Sequence, residues 1–109
     1  MNDAVLTQLY QVVLGRKAEP QEGSYTCYLF DKGLDKILKK VGEECAETII
    51  AAKNGVQAET VGEISDLIYH LMVLLAAQDI PLSAVLEELE QRSRKIGNLK
   101  QMKVVDHNT

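Results

Sequence analysis

The sequence has only two cysteines, no basic amino-terminal segment and no long apolar run, and each absence excludes a class of protein. Cys27 and Cys45 form no CxxC pair, and two thiols without a secretion signal are typical of a reduced, cytoplasmic protein. Because the first residues are polar, with no basic segment leading into an apolar run, we expect no signal peptide. The longest apolar stretch, residues 71–77, is far shorter than the roughly 20 residues of a membrane-spanning helix, so we expect no membrane partner.

Positive charge is also scarce, since 16 acidic residues outnumber 12 basic ones and the formal net charge is −4. Nucleic-acid-binding domains usually carry a strong basic bias, so we expect no nucleic-acid partner. A length of 109 residues fits one domain, which we place at 1–96, followed by a polar tail at 97–109. A bundle of this size leaves much apolar surface to cover, which favours a homo-oligomer, either a dimer or a dimer of dimers.

Helical periodicity and turn residues divide the chain into a bundle of four to five helices. The first helix is expected at 3–14, and its capping signals are Asn2 or Asp3 at the start and Gly15 at the end. Ser24 is expected to cap the start of a short helix that ends at Gly33.

Two long helices follow, at about 35–53 and 58–78, and Gly55 separates them. A last helix is expected at 82–95, after the break around Pro81. Short connections between long amphipathic helices favour antiparallel neighbours. The sequence therefore predicts an all-α fold in which the two long helices pack antiparallel and which is completed as a dimer.

The acidic residues of the two long helices follow a spaced pattern: Glu-Glu-x-x-Glu and, fifteen residues later, Glu-x-x-Asp. Residues three or four apart share one face of a helix, so the carboxylates of each pair lie on adjacent turns. Packing the two helices antiparallel brings these carboxylates together, and they can all stay ionised only if a cation joins them. An all-oxygen ligand set suits Mg²⁺ or Mn²⁺ better than zinc. The pattern predicts a metal site formed by Glu44, Glu47, Glu63 and Asp66.

The first long helix also has an apolar stripe to one side of Glu44, as wide as an ordinary core stripe. The stripe consists of Leu38, Val41, Cys45, Ile49 and Ala52. Four charged residues lie to the other side of Glu44, namely Lys36, Lys40, Glu43 and Glu47. The carboxylates are therefore expected to border the core. On the second long helix, Asp66 precedes a hydrophobic run, so we expect it to be buried and to need a partner.

The same residues also allow a simpler interpretation, because acidic side chains on a helix usually form a solvated face. That interpretation accounts for Glu43, Glu44 and Glu47 alone, and it fails to account for a buried Asp66. A hydrogen-bonded core histidine explains His70 better than a metal ligand does, since the ligand set is rich in oxygen. Three tyrosines are interpreted as packing groups with satisfied hydroxyls, namely Tyr25, Tyr28 and Tyr69.

The carboxylate pattern resembles the signature of the all-α nucleoside-triphosphate pyrophosphatases. Further blocks, over about residues 3–96, resemble the phosphoribosyl-ATP pyrophosphatase family of histidine biosynthesis. These blocks are Gly23-Ser24-Tyr25-Thr26, Leu29-Phe30, Lys32-Gly33-Leu34-Asp35-Lys36-Ile37-Leu38, Lys40-Val41-Gly42-Glu43-Glu44 and Asp66-Leu67-Ile68-Tyr69-His70-Leu71. The tail from Gly97 matches no firm pattern.

The resemblance implies hydrolysis of phosphoribosyl-ATP to phosphoribosyl-AMP and pyrophosphate, with Mg²⁺, in a cytoplasmic homo-oligomer. It assigns the metal to the four carboxylates named above, and it makes Glu43, Glu44 and Glu47 the candidate catalytic residues. Glu43 could orient or deprotonate the attacking water, or it could contact a metal ligand without binding the metal itself. The candidate substrate-binding residues are Lys36 and Lys40 for phosphate, and Ser24, Tyr25 and Thr26 for the adenine and ribose.

Two other functions fit the same residues. One is a housekeeping nucleoside-triphosphate pyrophosphatase with the same metal site. Only the sequence blocks outside the carboxylates argue against this function. The other is a non-catalytic helical dimerisation module, in which the acidic residues are simply solvated.

Overall fold

The computed structural model describes residues 4–95, in which the chain forms five α-helices and no strand. The helices are α1 (Ala4–Ala18), α2 (Tyr25–Lys32), α3 (Leu34–Asn54), α4 (Gln57–Ala77) and α5 (Leu82–Ser93). The described residues thus confirm the predicted all-α class, and α3 and α4 pack against each other more extensively than any other pair. The N-cap candidates Asn2 and Asp3 and the predicted tail at 97–109 lie outside the described residues.

Local capping signals set three helix boundaries where the sequence predicted them. The Ser24 hydroxyl accepts a hydrogen bond from the Cys27 N–H at 3.2 Å, which caps the start of α2. Gly33 ends α2, and its N–H donates to the Leu29 carbonyl. Gly55 ends α3 in the left-handed conformation (φ 76°), a backbone geometry that glycine adopts without steric penalty.

The predicted end of the first helix at Gly15 is wrong, since α1 continues through Gly15 to Ala18. A glycine inside a helix is only about 1 kcal/mol less favourable than alanine, so a tertiary contact can outweigh it. Here the Lys17 ammonium donates to the Ala76 carbonyl at 2.7 Å and pairs with Asp79 at 2.8 Å. This contact anchors the last turn of α1 and satisfies a carbonyl at the carboxyl end of α4.

The hydrophobic core lies where α1, α2 and the carboxyl-terminal half of α4 meet. Its four largest fully buried side chains come from four different helices and are Val13, Leu29, Ile37 and Val73. Tyr10 closes one end of this core, because its hydroxyl donates to the Ile80 carbonyl at 2.6 Å. Leu82, at the start of α5, is also buried in the cluster.

The predicted core stripe of α3 lies mostly on the surface of the single chain, which contradicts the expectation. Leu38 is 45% exposed and Ile49 is 66% exposed, while Cys45 and Ala52 are exposed as well and Val41 is half-buried. The residues of α3 that are buried are Ile37, Glu44 and Ala51. The reason is that α4 packs on the Glu44 face of α3, so no described element covers the apolar stripe beside it.

Helix α4 is long and apolar enough, by length and composition alone, to cross a membrane. The central helix of a helical bundle has the same properties, and α4 supplies Met72, Val73 and Ala76 to the core. The earlier expectation considered only the uninterrupted run at 71–77, which is shorter than the helix that contains it. The amino-terminal half of α4 carries the predicted carboxylates Glu63 and Asp66.

Two glycine substitutions should change stability in opposite directions. Gly15→Ala replaces a glycine inside α1, where an added Cβ meets nothing within 4 Å, and should raise the free energy of unfolding by about 0.5–1 kcal/mol. Gly55→Ala forces a side chain into the left-handed conformation and should lower it by roughly 1–2 kcal/mol. Urea unfolding at one fixed protein concentration measures both, and a change of the same sign in the two variants would contradict these assignments.

Candidate metal centre

Three carboxylates from α3 and α4 meet at the interface between the two helices. Oxygens of Glu44, Glu63 and Asp66 all lie within 4.8 Å of one another. Glu44 is only 5% exposed, whereas Glu63 is half-buried and Asp66 is exposed, so the cluster extends from the interface to the surface. The expectation that Asp66 is buried is therefore wrong, because the first half of α4 is covered on one side only.

Electrostatic repulsion within this cluster is visible in the pKa values of its members. Burial raises the pKa of Glu44 above its ordinary value, and the neighbouring charges of Glu47 and Asp66 raise it further. Burial also raises the pKa of Glu63, and the adjacent carboxylate of Glu47 raises it further. Lys40 opposes the effect at Glu44, since its ammonium lies 3.8 Å from the Glu44 carboxylate. One ammonium at that distance does not neutralise the negative charge of the cluster.

Two oxygens of the cluster have no hydrogen-bond partner within the described structure, namely Oε2 of Glu44 and Oε2 of Glu63. Buried carboxylate oxygens are normally satisfied by donors, because an unpaired one loses its water without compensation. Both residues belong with Asp66 to an all-oxygen group, which is the ligand type that Mg²⁺ and Mn²⁺ prefer.

The other predicted acidic residues lie beside the cluster rather than inside it. Glu47 is exposed and does not belong to the group of three, but its charge raises the pKa values of both Glu44 and Glu63. Glu43 is exposed and lies 3.9 Å from the Lys40 ammonium. Lys40 therefore stands between the predicted catalytic residue Glu43 and the buried ligand candidate Glu44.

The two predicted phosphate-binding lysines occupy different positions relative to the cluster. Lys40 is half-buried and directly adjacent to the carboxylates. Lys36, one turn earlier on α3, lies over the ring of Tyr28 with its ammonium 6.0 Å from the ring centroid. Lys32 approaches the same ring at 5.7 Å. Lys32 and Lys36 thus share a contact with Tyr28, whereas Lys40 contacts the carboxylates.

The hydroxyls of the predicted substrate-binding segment 24–26 are all engaged in holding α2. Ser24 caps the helix, and the Thr26 hydroxyl is hydrogen-bonded to the Tyr69 hydroxyl of α4. The Tyr25 hydroxyl lies 3.0 Å from Nε2 of His70. Of the three, Tyr25 is the one whose surroundings include the cluster, since the charges of Lys40 and Glu44 both influence its pKa.

His70 is a hydrogen-bonded core histidine, as predicted, with an exposed fraction of 4%. Its Nδ1 lies 2.7 Å from the Asp66 carbonyl one turn earlier, and its Nε2 faces Tyr25. The pairing with Tyr25 was not predicted, because the two residues are 45 positions apart and neither periodicity nor spacing relates α2 to α4. The only signal in the sequence was that His70 continues the line of Glu63 and Asp66 along α4.

Comparison with known proteins shows to which family the chain is related. A family model described as phosphoribosyl-ATP pyrophosphohydrolase matches residues 6–93. A protein named phosphoribosyl-ATP pyrophosphatase from Listeria monocytogenes serotype 4b (strain CLIP80459) is 56% identical over 102 residues, covering 94% of this chain and 98% of that protein. One of the same name from Clostridium botulinum (strain Kyoto / Type A2) is 55% identical over 96 residues, covering 88% and 87%.

A third relative carries this domain as part of a longer chain. The histidine biosynthesis bifunctional protein HisIE of Caldanaerobacter subterraneus subsp. tengcongensis is 58% identical over 91 residues, which cover 84% of this chain but 44% of that protein. The family match spans residues 6–93, which contain most of the described helices, and the first relative covers 94% of the chain. The chain belongs to the phosphoribosyl-ATP pyrophosphohydrolase family.

Proposed function

We propose that this protein hydrolyses phosphoribosyl-ATP to phosphoribosyl-AMP and pyrophosphate in histidine biosynthesis, in the cytoplasm. The observation that carries the proposal is the cluster of Glu44, Glu63 and Asp66, in a chain that is 56% and 55% identical, over the matched residues, to two proteins named for this activity. A housekeeping nucleoside-triphosphate pyrophosphatase would use a similar cluster, but the family match favours phosphoribosyl-ATP. A non-catalytic module would have no reason to bury Glu44 among like charges.

The cluster fits Mg²⁺, or Mn²⁺ in its place. Glu44, Glu63 and Asp66 would hold the ion, with Glu47 beside them as the fourth carboxylate of the sequence pattern. Support comes from the unpartnered oxygens of Glu44 and Glu63 and from the absence of nitrogen or sulfur in the group. When bound, the ion supplies charge that polarises a water and neutralises phosphate oxygens.

The remaining residues of the site serve the substrate. Water attacks the phosphorus of the α–β phosphoanhydride, the bond to the bridging oxygen breaks, and pyrophosphate leaves with the negative charge. Lys40, beside the cluster, and Lys36, one turn away, neutralise that charge as point donors. Glu43 either accepts the proton of the attacking water or holds Lys40, from which it is 3.9 Å away.

We further propose that the protein is a homodimer at least, with α3 and α4 antiparallel as their two-residue connection favours. The support is the apolar stripe of α3, whose exposed members are Leu38, Cys45, Ile49 and Ala52. A second copy that covered this stripe would remove its apolar surface from water and would leave the buried Glu44 face unchanged.

Pyrophosphate release should be observed with phosphoribosyl-ATP and Mg²⁺ and should be much weaker with ordinary nucleoside triphosphates. Asp66→Asn and Glu47→Gln should each lower the rate by orders of magnitude, because a cation site that loses one carboxylate no longer clamps the phosphates. Without metal, the two variants should be at least as stable as wild type, since one repelling charge is gone. The melting temperature with and without Mg²⁺ measures stability and the metal response, and a pyrophosphate assay measures the rate.

Glu87→Gln is the matched control, because Glu87 is an exposed acid of α5 outside the cluster. This variant should keep the wild-type activity. It should also keep the increase in melting temperature caused by Mg²⁺, because a ligand bound only by the native state stabilises that state. An equal metal response in the Asp66 and Glu87 variants would end the metal hypothesis. Comparable rates with all nucleoside triphosphates would favour the housekeeping enzyme.

The stability of the metal-free protein should depend on pH through Glu44 and Glu63. Their raised pKa values mean that the native state binds protons more tightly than the unfolded chain, so stability falls as pH rises from the ordinary value of 4.5 through the raised values. With Mg²⁺ the added stabilisation should grow with pH, because protons compete for the same oxygens. Urea unfolding across this range should show a smaller slope for Glu44→Gln and an unchanged slope for Glu87→Gln.

Substitution of the α3 stripe should weaken self-association. Ile49→Lys places a charge on the apolar stripe and should raise the dissociation constant of the dimer by about tenfold or more, since a central interface residue contributes over 1 kcal/mol. Leu89→Lys, on the exposed part of α5, is the control and should change it little. Sedimentation of the wild type as a stable monomer at micromolar concentration would contradict the dimer.

A further inference from the structure

Two lysines from different helices place their ammonium groups near one exposed tyrosine ring. The Lys32 ammonium of α2 lies 5.7 Å from the centroid of the Tyr28 ring, and the Lys36 ammonium of α3 lies 6.0 Å from it. None of the ion pairs within residues 4–95 involves either lysine. Unlike a carboxylate, an aromatic ring attracts an ammonium group without neutralising its charge. Two full positive charges are therefore held at one place on the surface.

Tyr28 also presents a hydroxyl that the fold does not use. The chain has four tyrosines, and the other three hydroxyls, those of Tyr10, Tyr25 and Tyr69, are each hydrogen-bonded to another residue. The Tyr28 hydroxyl has no partner in the part of the chain that the structure describes, and Tyr28 is 42% exposed. A phenol hydroxyl donates one hydrogen bond, and an oxygen of an anionic ligand is a suitable acceptor for it.

An open hollow of about 600 Å³ lies at the start of α2, and its lining includes Tyr28 and the two acidic residues Glu22 and Asp31. Carboxylates repel a phosphate, but they accept hydrogen bonds from the hydroxyls of a sugar. Asp31 and Lys32 follow Tyr28 by three and four residues, so both lie beside it on one face of α2. Acceptors for sugar hydroxyls and a donor for phosphate thus meet at Tyr28, which is the combination that a sugar phosphate requires.

Two separate sets of contacts connect this surface to the carboxylate cluster. The Tyr28 ring stacks on the Tyr25 ring with centroids 6.1 Å apart, and the Tyr25 hydroxyl lies 3.0 Å from Nε2 of His70, on the turn of α4 that follows the cluster. On α3, Lys36 comes one turn before Lys40, whose ammonium lies 3.8 Å from a carboxylate of the cluster. The surface around Tyr28 is therefore a neighbour of the cluster on both helices.

We propose that Lys32 and Tyr28 bind the phosphate of the substrate's phosphoribosyl group, while Asp31 accepts hydrogen bonds from its ribose hydroxyls. This inference rests on the proposed function, and it names the residues that distinguish phosphoribosyl-ATP from ATP. ATP has no phosphoribosyl group, so contacts with that group stabilise the complex of phosphoribosyl-ATP alone. The carboxylate cluster, Lys36 and Lys40 act on the triphosphate, which the two nucleotides share.

Lys32→Gln should raise KM for phosphoribosyl-ATP about tenfold and leave kcat nearly unchanged, because it removes one charge-assisted hydrogen bond to a group that does not react. Tyr28→Phe should raise the same KM roughly fivefold through the loss of its hydroxyl. Neither variant should change the weak release of pyrophosphate from ATP, which lacks the recognised group. Lys32→Arg keeps the charge and can bind a phosphate with two donors, so its KM should stay close to that of the wild type.

Lys53→Gln is the matched control, because Lys53 is also an exposed lysine and is not one of the two that approach Tyr28. It removes the same charge and should leave KM unchanged for both nucleotides. An equal rise in KM in the Lys32 and Lys53 variants would overturn the proposal, since it would indicate a general attraction of anions. An equal loss of affinity for ATP and phosphoribosyl-ATP in Lys32→Gln would overturn it as well, because Lys32 would then act on the triphosphate.

Binding of ribose 5-phosphate tests the subsite without any reaction. In the presence of Mg²⁺, titration of the ¹⁵N-labelled full chain should shift the amide resonances of residues 28–32, and Lys32→Gln should raise the dissociation constant about tenfold while Lys53→Gln leaves it unchanged. Equal affinity for inorganic phosphate, or equal binding by Lys32→Gln and wild type, would overturn the proposal. If wild type binds ribose 5-phosphate at Tyr28 but releases no pyrophosphate from phosphoribosyl-ATP, the proposed function fails and the sugar-phosphate site stands.

Discussion

The burial of the Glu44 face of α3 against α4 is the constraint on which the rest of the structure depends. A carboxylate inside a helix interface loses water, and α4 adds Glu63 and Asp66, which have the same charge. The single ammonium nearby, Lys40, lies too far away to balance them. The free energy that holds the interface therefore comes from apolar packing, namely the core to which α1, α2, α4 and Ile37 of α3 contribute. The cluster is therefore a place where the fold tolerates repulsion between like charges.

The boundaries of the helices were predictable wherever a local signal determines them. Ser24, Gly33 and Gly55 act through their own hydrogen bonds or backbone conformation, which a sequence shows directly. Gly15 misled the prediction because the last turn of α1 is held by Lys17, whose partners lie about 60 residues further along the chain. A contact of that kind outweighs a difference in helix propensity of about 1 kcal/mol, and the helical periodicity of the sequence does not predict it.

The site was predictable to the extent that helical spacing brings residues together. Glu63 and Asp66 share a face of α4 because they are three apart, and Glu44 joins them through the packing of two neighbouring helices. The spacing of residues does not predict which face of α3 packs against another helix. The apolar stripe with Ile49 looked like the core, and α4 instead took the face with Ile37, Glu44 and Ala51. The choice depends on how the helices pack together, which the spacing within one helix does not state.

Helix α4 also decides from which side a substrate can approach. Glu63 and Asp66 precede His70 on the same helix, and the core residue Val73 follows one turn later. Because the rise of a helix is about 1.5 Å per residue, the spacing between the carboxylates and His70 is set once the core has fixed α4. Glu44 and His70 close the inner side of the site, while Asp66 and Glu47 are exposed. Any ligand of the cluster must therefore approach it from that outer side.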